Sequence, residues 1–185
     1  MSFGNFLIKQ VASALSRDLP QLKVFSTLSP VPGFRQWLRE TLSSGPESLL
    51  NEARNNVLRE MAPDTPPVET LSRIVETPGC LVDPAAESDG PELPTVLRQL
   101  CARYLLEERS GTRALDRVAH FHLSNGARIE RINWMGDPSP QGLAASFGLM
   151  VNYRYLLDEV DRNHEQYTKK GRIRASGTVR RLLKT

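Results

Sequence analysis

The 185 residues are 39% hydrophobic and 24% charged, a balance that fits one globular domain with a sizeable core and excludes a disordered chain. No apolar run approaches the roughly 18 residues needed to cross a bilayer. The first ten residues lack a basic segment followed by an apolar one, so we expect a cytoplasmic chain with no secretory leader and no membrane partner. Cys80 and Cys101 are too few for a disulfide framework and have no metal-site spacing, as in a reducing compartment.

Near the N-terminus, Leu7, Ile8, Val11, Ala14 and Leu15 recur at helical spacing. They predict a helix to Asp18, with Asn5 as its N-cap. The unpaired first-turn amides after Gly4 and Asn5 form a place for a phosphate, although most such helix starts are merely capped. Pro20 ends this helix, and the alternation of Leu22 and Val24 predicts a strand over Gln21–Leu28. The turn Ser29-Pro30-Val31-Pro32-Gly33 follows. Because Ser29 precedes a proline it is kept out of the helical region. Its hydroxyl therefore projects from the C-terminal end of a strand, where open α/β sheets place ligands, unless it serves only the turn.

Amphipathic helices are expected over Phe34–Leu42, Glu47–Met61 and Val68–Glu76, separated by the Ser43–Pro46 and Pro63–Pro67 breaks. Val82–Pro94 is rich in proline, glycine and acids and reads as a surface loop. Over Thr95–Arg109, Leu97, Leu100, Cys101, Tyr104 and Leu105 follow the helical period, which makes Cys101 a core residue.

Chemistry concentrates in Asp116–Trp134, which holds His120 and His122. Asp116 can cap a short helix Arg117–Asn125 closed at Asn125-Gly126, while Asn-Gly is equally a hairpin signal. Ala127–Trp134 reads as a strand, Asp137–Pro140 as a turn, and Leu149, Val151, Tyr153 and Tyr155 alternate as on a half-buried strand. The polar remainder ends in a helix over Gly177–Lys184. From Asp161 onward, eight Lys and Arg stand against Asp161 and Glu165. No aromatic interleaving or nucleic-acid module accompanies them, so they read as a solvated face and no nucleic-acid partner is expected.

A zinc site is disfavoured, because residues two apart on a helix diverge and there is neither a His-Glu-x-x-His nor a cysteine pair. A Gly-x-Ser-x-Gly elbow and a glycine-rich phosphate loop are also absent. What remains is a site of serine and histidine, with a tyrosine as a third candidate, needing no metal or organic cofactor, and a candidate phosphate site at Gly4 and Asn5.

Ser2–Gln10, Phe25–Phe34, His120–Trp134 and Gly148–Tyr155 resemble, in order, signature segments of the malonyl-CoA decarboxylases. The resemblance runs over essentially the whole chain. It implies an α+β chain, part of a GCN5-type acetyltransferase-like domain, with a short mixed sheet and a helical insertion. Residues 1–42 would carry the pyrophosphate-loop end, a helix, a strand and the Ser-Pro turn. Residues 43–110 would be the insertion, 111–160 the catalytic helix and last strands, and 161–185 a basic tail.

The same resemblance implies Gly4 and Asn5 as CoA contacts, His122 as proton donor, Ser29 as its partner at the malonyl carboxylate, and Tyr155 and Asn152 near the acyl group. Acetyltransferases carry a Phe-Tyr pair where this chain has Phe121-His122, which favours the helix over the hairpin. The implied reaction releases carbon dioxide from malonyl-CoA and leaves acetyl-CoA, with the thioester as electron sink and CoA as part of the substrate. A histidine near its ordinary pKa of about 6.5 can supply the proton, and His120 is left a structural role.

Members of the family carry an N-terminal helical domain and the first half of the sheet before this point. The strand expected to pair with Gln21–Leu28 is therefore not in this chain. The expectation is a chain that is poorly active or inactive by itself and needs a complementing N-terminal segment or a homo-oligomer that covers the edge. Two other classes compete: a non-catalytic acyl-CoA-binding or subunit-docking module, and a CoA-dependent N-acetyltransferase.

Overall fold

The computed structural model describes residues 3–79 and 92–184, and of residues 3–7 and 9 it describes the backbone alone. Helix α1 (Phe3–Asp18) leads to strand β1 (Phe25–Pro30), then α2 (Phe34–Ser44), α3 (Glu52–Met61) and α4 (Pro67–Glu76). After the undescribed stretch come α5 (Leu93–Leu106), the two-residue strands β2 (Arg109–Ser110) and β3 (Arg113–Ala114), α6 (Arg117–Ser124) and β4 (Arg128–Asn133). The chain closes with α7 (Pro140–Ser146), β5 (Met150–Tyr155), α8 (Val160–Lys170) and α9 (Gly177–Arg181).

The main sheet has the order β1-β5-β4. Both pairings are antiparallel, so the expected mixed sheet is instead antiparallel with a single parallel bridge, Ile129 to Ala175, on its β4 side. That bridge closes the β4 edge: the Ile129 amide donates to Arg174 O at 2.9 Å and the Ser176 amide to Ile129 O at 2.8 Å. On the opposite side, β1 pairs with no further strand among the described residues.

Strand β1 starts four residues later than predicted. Phe25 faces Tyr155, the last residue of β5, so 21–24 have no partner, and the apolar alternation of Leu22 and Val24 lies exposed ahead of the strand. The predicted Glu47–Met61 helix is broken for a local reason: the Asn51 side chain accepts the Arg54 amide and starts α3 afresh. Helix α5 begins at Leu93 rather than Thr95, because Pro94 is tolerated in a first turn. It stops at Leu106, and Arg109 belongs to the β2–β3 hairpin. The Val82–Pro94 loop lies outside the described residues up to residue 91.

Two helices escaped the period analysis. Asp137–Pro140 is the start signal of α7, with the Ser139 hydroxyl accepting the Gly142 amide at 3.1 Å. The buried face of α8 is Val160, Asn163 and Tyr167, too polar to register as an apolar stripe. Helix α9 is shorter than the predicted Gly177–Lys184.

The core lies between the sheet and the helical insertion. Phe34 of α2 meets the Phe147 ring edge-on at 5.9 Å and the Tyr104 ring of α5 at 5.8 Å. Leu97, Leu100, Cys101 and Leu105 are buried beside them, and Cys101 is a core residue as expected. Among the described residues no helix is long and apolar enough to cross a membrane.

Candidate active site

Period-two alternation divides the sheet into two faces. Along β5, Val151, Tyr153 and Tyr155 are buried, whereas Asn152 and Arg154 turn the other way. In register with them on β1, Ser29 lies opposite Val151, Thr27 opposite Tyr153 and Phe25 opposite Tyr155. Residues directly opposite share a face, so Thr27, Ser29, Tyr153 and Tyr155 line one surface.

Helix α6 delivers His122 onto that surface. Asp116 caps it as predicted, its Oδ1 accepting the Ala119 amide at 2.8 Å. Asn125 closes it ahead of Gly126 at φ +79, so the hairpin alternative does not hold. His122 is 7% exposed. Its Nε2 lies 3.0 Å from Ser29 Oγ and its Nδ1 2.8 Å from Tyr155 Oη. Ser29 Oγ in turn lies 3.0 Å from Thr27 Oγ1. The Tyr153 ring is stacked on the imidazole, with centroids 4.3 Å apart and planes at 18°.

This is an unbroken chain: Tyr155, His122, Ser29, Thr27. Burial lowers the His122 pKa to about 4 and raises that of Tyr155. At neutral pH the ring therefore holds one proton and the phenol keeps its own. This corrects the expectation of a histidine near its ordinary pKa: burial takes the ring out of water, so the cation is disfavoured. With one proton on the ring, the chain runs in either of two senses. Tyr155 donates to Nδ1, Nε2 to Ser29 and Ser29 to Thr27, or all three bonds reverse. Such a chain can deliver or accept a proton at the Ser29 end and pass the change to the Tyr155 end.

Three of the six residues singled out from the sequence, Ser29, His122 and Tyr155, are thus brought together. Asn152 is not, because strand alternation places it on the opposite face. There its Nδ2 donates to Thr27 O at 2.8 Å and its Oδ1 accepts from Asn133 Nδ2 at 2.9 Å. Gly4 and Asn5 lie within the first turn of α1, which starts at Phe3, so Asn5 is not the cap that the sequence suggested. The Asn5 side chain lies outside the described residues.

His120 points elsewhere, as expected. Its Nδ1 meets Tyr167 Oη at 2.8 Å, and that oxygen also accepts the Ala114 amide at 2.8 Å. Thr27 and Tyr153 were not anticipated, although both follow from counting by two from Ser29 and Tyr155. No group of three or more His, Cys, Asp or Glu that could hold a metal occurs among the described residues.

Residues 1–185 match the family model of the malonyl-CoA decarboxylase C-terminal domain. The chain is 42% identical over 184 residues to the mitochondrial malonyl-CoA decarboxylase of Anser anser anser, covering 97% of this chain and 36% of that protein. The same enzyme of Rattus norvegicus is 38% identical over 188 residues, covering 99% and 37%. Among solved structures, the malonyl-CoA decarboxylase of Cupriavidus metallidurans superimposes with a TM-score of 0.81 at 36% identity, over 99% of this chain and 44% of that one. That of Rhodopseudomonas palustris gives 0.77 at 39% identity, over 98% and 38%. The chain therefore spans little more than a third of the curated relatives it matches. Those two relatives are named as mitochondrial, a compartment that the cytoplasmic expectation for this chain does not share.

Proposed function

The chain belongs to the malonyl-CoA decarboxylase family, in its C-terminal domain, and from that premise we propose that it supplies the catalytic groups for converting malonyl-CoA to acetyl-CoA and carbon dioxide. The observation that carries this reading is the Ser29–His122–Tyr155 chain on one face of the sheet.

Cleavage of the bond between C2 and the carboxylate sends its electron pair into the thioester, giving the acetyl-CoA enolate and carbon dioxide. One proton added at C2 completes the balance. The Ser29 hydroxyl, aligned by Thr27, orients the carboxylate out of the thioester plane, and His122 protonates C2. The malonyl carboxylate brings a negative charge beside a buried neutral imidazole, which favours the protonated ring. Substrate thus moves His122 toward its donor state, and Tyr155 holds Nδ1. The thioester is the electron sink, so neither metal nor organic cofactor is needed. First-turn amides of α1 at Gly4 and Asn5 would meet the CoA pyrophosphate.

A second reading, a binding or docking module that needs another segment for catalysis, is favoured by one observation. On strand β1 and just ahead of it in the chain, Leu28 is 54% exposed and Leu22 and Val24 are exposed, and β1 pairs with no further strand among the described residues. An apolar surface next to an unpaired strand suits a strand-bearing partner, a complementing N-terminal segment or a second copy.

The test is carbon dioxide release from malonyl-CoA by the wild type, Ser29→Ala and His122→Ala, each alone and with the N-terminal part of a relative supplied. Release by the wild type that is lost in both variants supports catalysis. CoA binding without release under either condition supports the docking module.

A further inference from the structure

Among the described residues, the other N-caps that bond through a side chain are neutral. Asn51, Ser139 and Ser176 cap α3, α7 and α9 through side-chain oxygens. Helix α6 is capped by a carboxylate that is only 1% exposed, an expensive group to bury if capping were its whole task. Its second oxygen faces away from the helix. Asp116 Oδ2 lies 3.5 Å from Tyr104 Oη. The backbone N–H groups of Gly33 and Val118 face the carboxylate and favour its charged form. Gly33 sits against the Tyr104 hydroxyl with no room to spare, and within van der Waals reach of the carboxylate. A Cβ placed there would fall 2.4 Å from Tyr104 Oη and 3.8 Å from Asp116 Oδ2.

Gly33 ends the turn that begins at Ser29, and Pro30 and Pro32 fix φ at two of the intervening residues. What holds Gly33 therefore holds Ser29. Asp116 begins the helix that carries His122 six residues on, so the same carboxylate fixes both halves of the 3.0 Å Ser29–His122 contact.

We propose that Asp116 is a positioning residue, whose buried carboxylate ties the turn after Ser29 to the start of α6 and so sets the Ser29–His122 distance. The inference deepens the catalytic reading of that pair and rests on it. Asp116→Asn tests it, because an amide oxygen still caps Ala119 while the amide nitrogen cannot accept from Tyr104 and presents no negative charge to the Gly33 N–H. Asn51→Ala is the control, a lost cap on a helix remote from the pair.

Two readouts are made on the full chain: kcat and KM for carbon dioxide release, and the imidazole nitrogen resonances of His122 by two-bond correlation NMR. In Asp116→Asn, kcat is expected to fall about 10- to 100-fold, the order of loss that a displacement of about 1 Å produces, with KM nearly unchanged. The His122 resonances should move toward those of Ser29→Ala. Asn51→Ala should lower the melting temperature with kcat and resonances unchanged. Wild-type resonances in a folded Asp116→Asn, or the same kcat loss in Asn51→Ala, would overturn the proposal.

Should Asp116→Asn not fold, Tyr104→Phe removes one donor from the same carboxylate. A smaller shift in the same direction is expected, and none at all would overturn the proposal. The NMR readout needs no turnover, so a wild type that releases no carbon dioxide refutes the catalytic reading and leaves the positioning of the pair to be decided by the resonances.

Discussion

A histidine that is neutral because it is buried makes the fold sensitive to acid, and the size of that sensitivity follows from its pKa. In the unfolded chain His122 titrates near its ordinary value of about 6.5; in the folded chain burial holds it at about 4. Above pH 6.5 neither state carries the proton and the group leaves stability unchanged. Between the two values the unfolded state binds a proton that the folded state refuses, so stability falls with falling pH, and the loss is complete at about pH 4. A difference of about 2.5 pKa units corresponds to roughly 3 kcal/mol, at no more than about 1.4 kcal/mol per pH unit. The assay is urea denaturation at several pH values from 7.5 to 4.5, wild type against His122→Gln, whose side chain does not titrate. The downward shifts of His120, Glu76 and Glu165 act in both chains, so subtracting the two curves isolates His122. Wild-type stability should drop faster on acidification by about the stated amount. Parallel curves would refute a neutral buried imidazole.

Two further substitutions probe the same architecture. Tyr155→Phe keeps the ring but leaves His122 Nδ1 without its 2.8 Å partner. It should cost about 1–3 kcal/mol in denaturant unfolding and lower kcat for carbon dioxide release with KM little changed; an unaltered kcat would remove Tyr155 from the relay. Gly126→Ala places a Cβ 2.3 Å from the Val160 carbonyl oxygen at φ +79. Strain and collision together should cost more than the roughly 1 kcal/mol of an ordinary glycine replacement, read as a lowered melting temperature.

Where apolar side chains follow one period without interruption, sequence and structure agree. The α5 stripe from Leu97 to Leu105 and the β5 alternation from Leu149 to Tyr155 are buried as their spacing requires. Helix α6 was ambiguous by pattern, since Asn125-Gly126 suits a helix stop and a hairpin alike. The Asp116 cap and the left-handed Gly126 decide it. Helices α7 and α8 were missed because α7 is short and α8 buries an asparagine and a tyrosine in place of aliphatic residues.

Ser29 and His122 were identifiable as residue types, but 93 residues separate them, and only the fold brings them to 3.0 Å. The depressed pKa was beyond the sequence altogether, because it depends on how deeply the fold buries the imidazole. Asn152 shows the limit of carrying a strand segment over as a block: its neighbours Val151 and Tyr153 face His122, and it does not.

The two edges of the sheet are unequal, since the 174–176 segment seals β4 whereas β1 pairs with no further strand among the described residues. A partner strand added to this chain would therefore find one open edge, not two. Two copies meeting through β1 would use the same surface on each, giving a two-fold assembly with a continuous six-stranded sheet and sealed edges at both ends. Such an assembly terminates at two, whereas a sheet bare on both sides could propagate into a fibre.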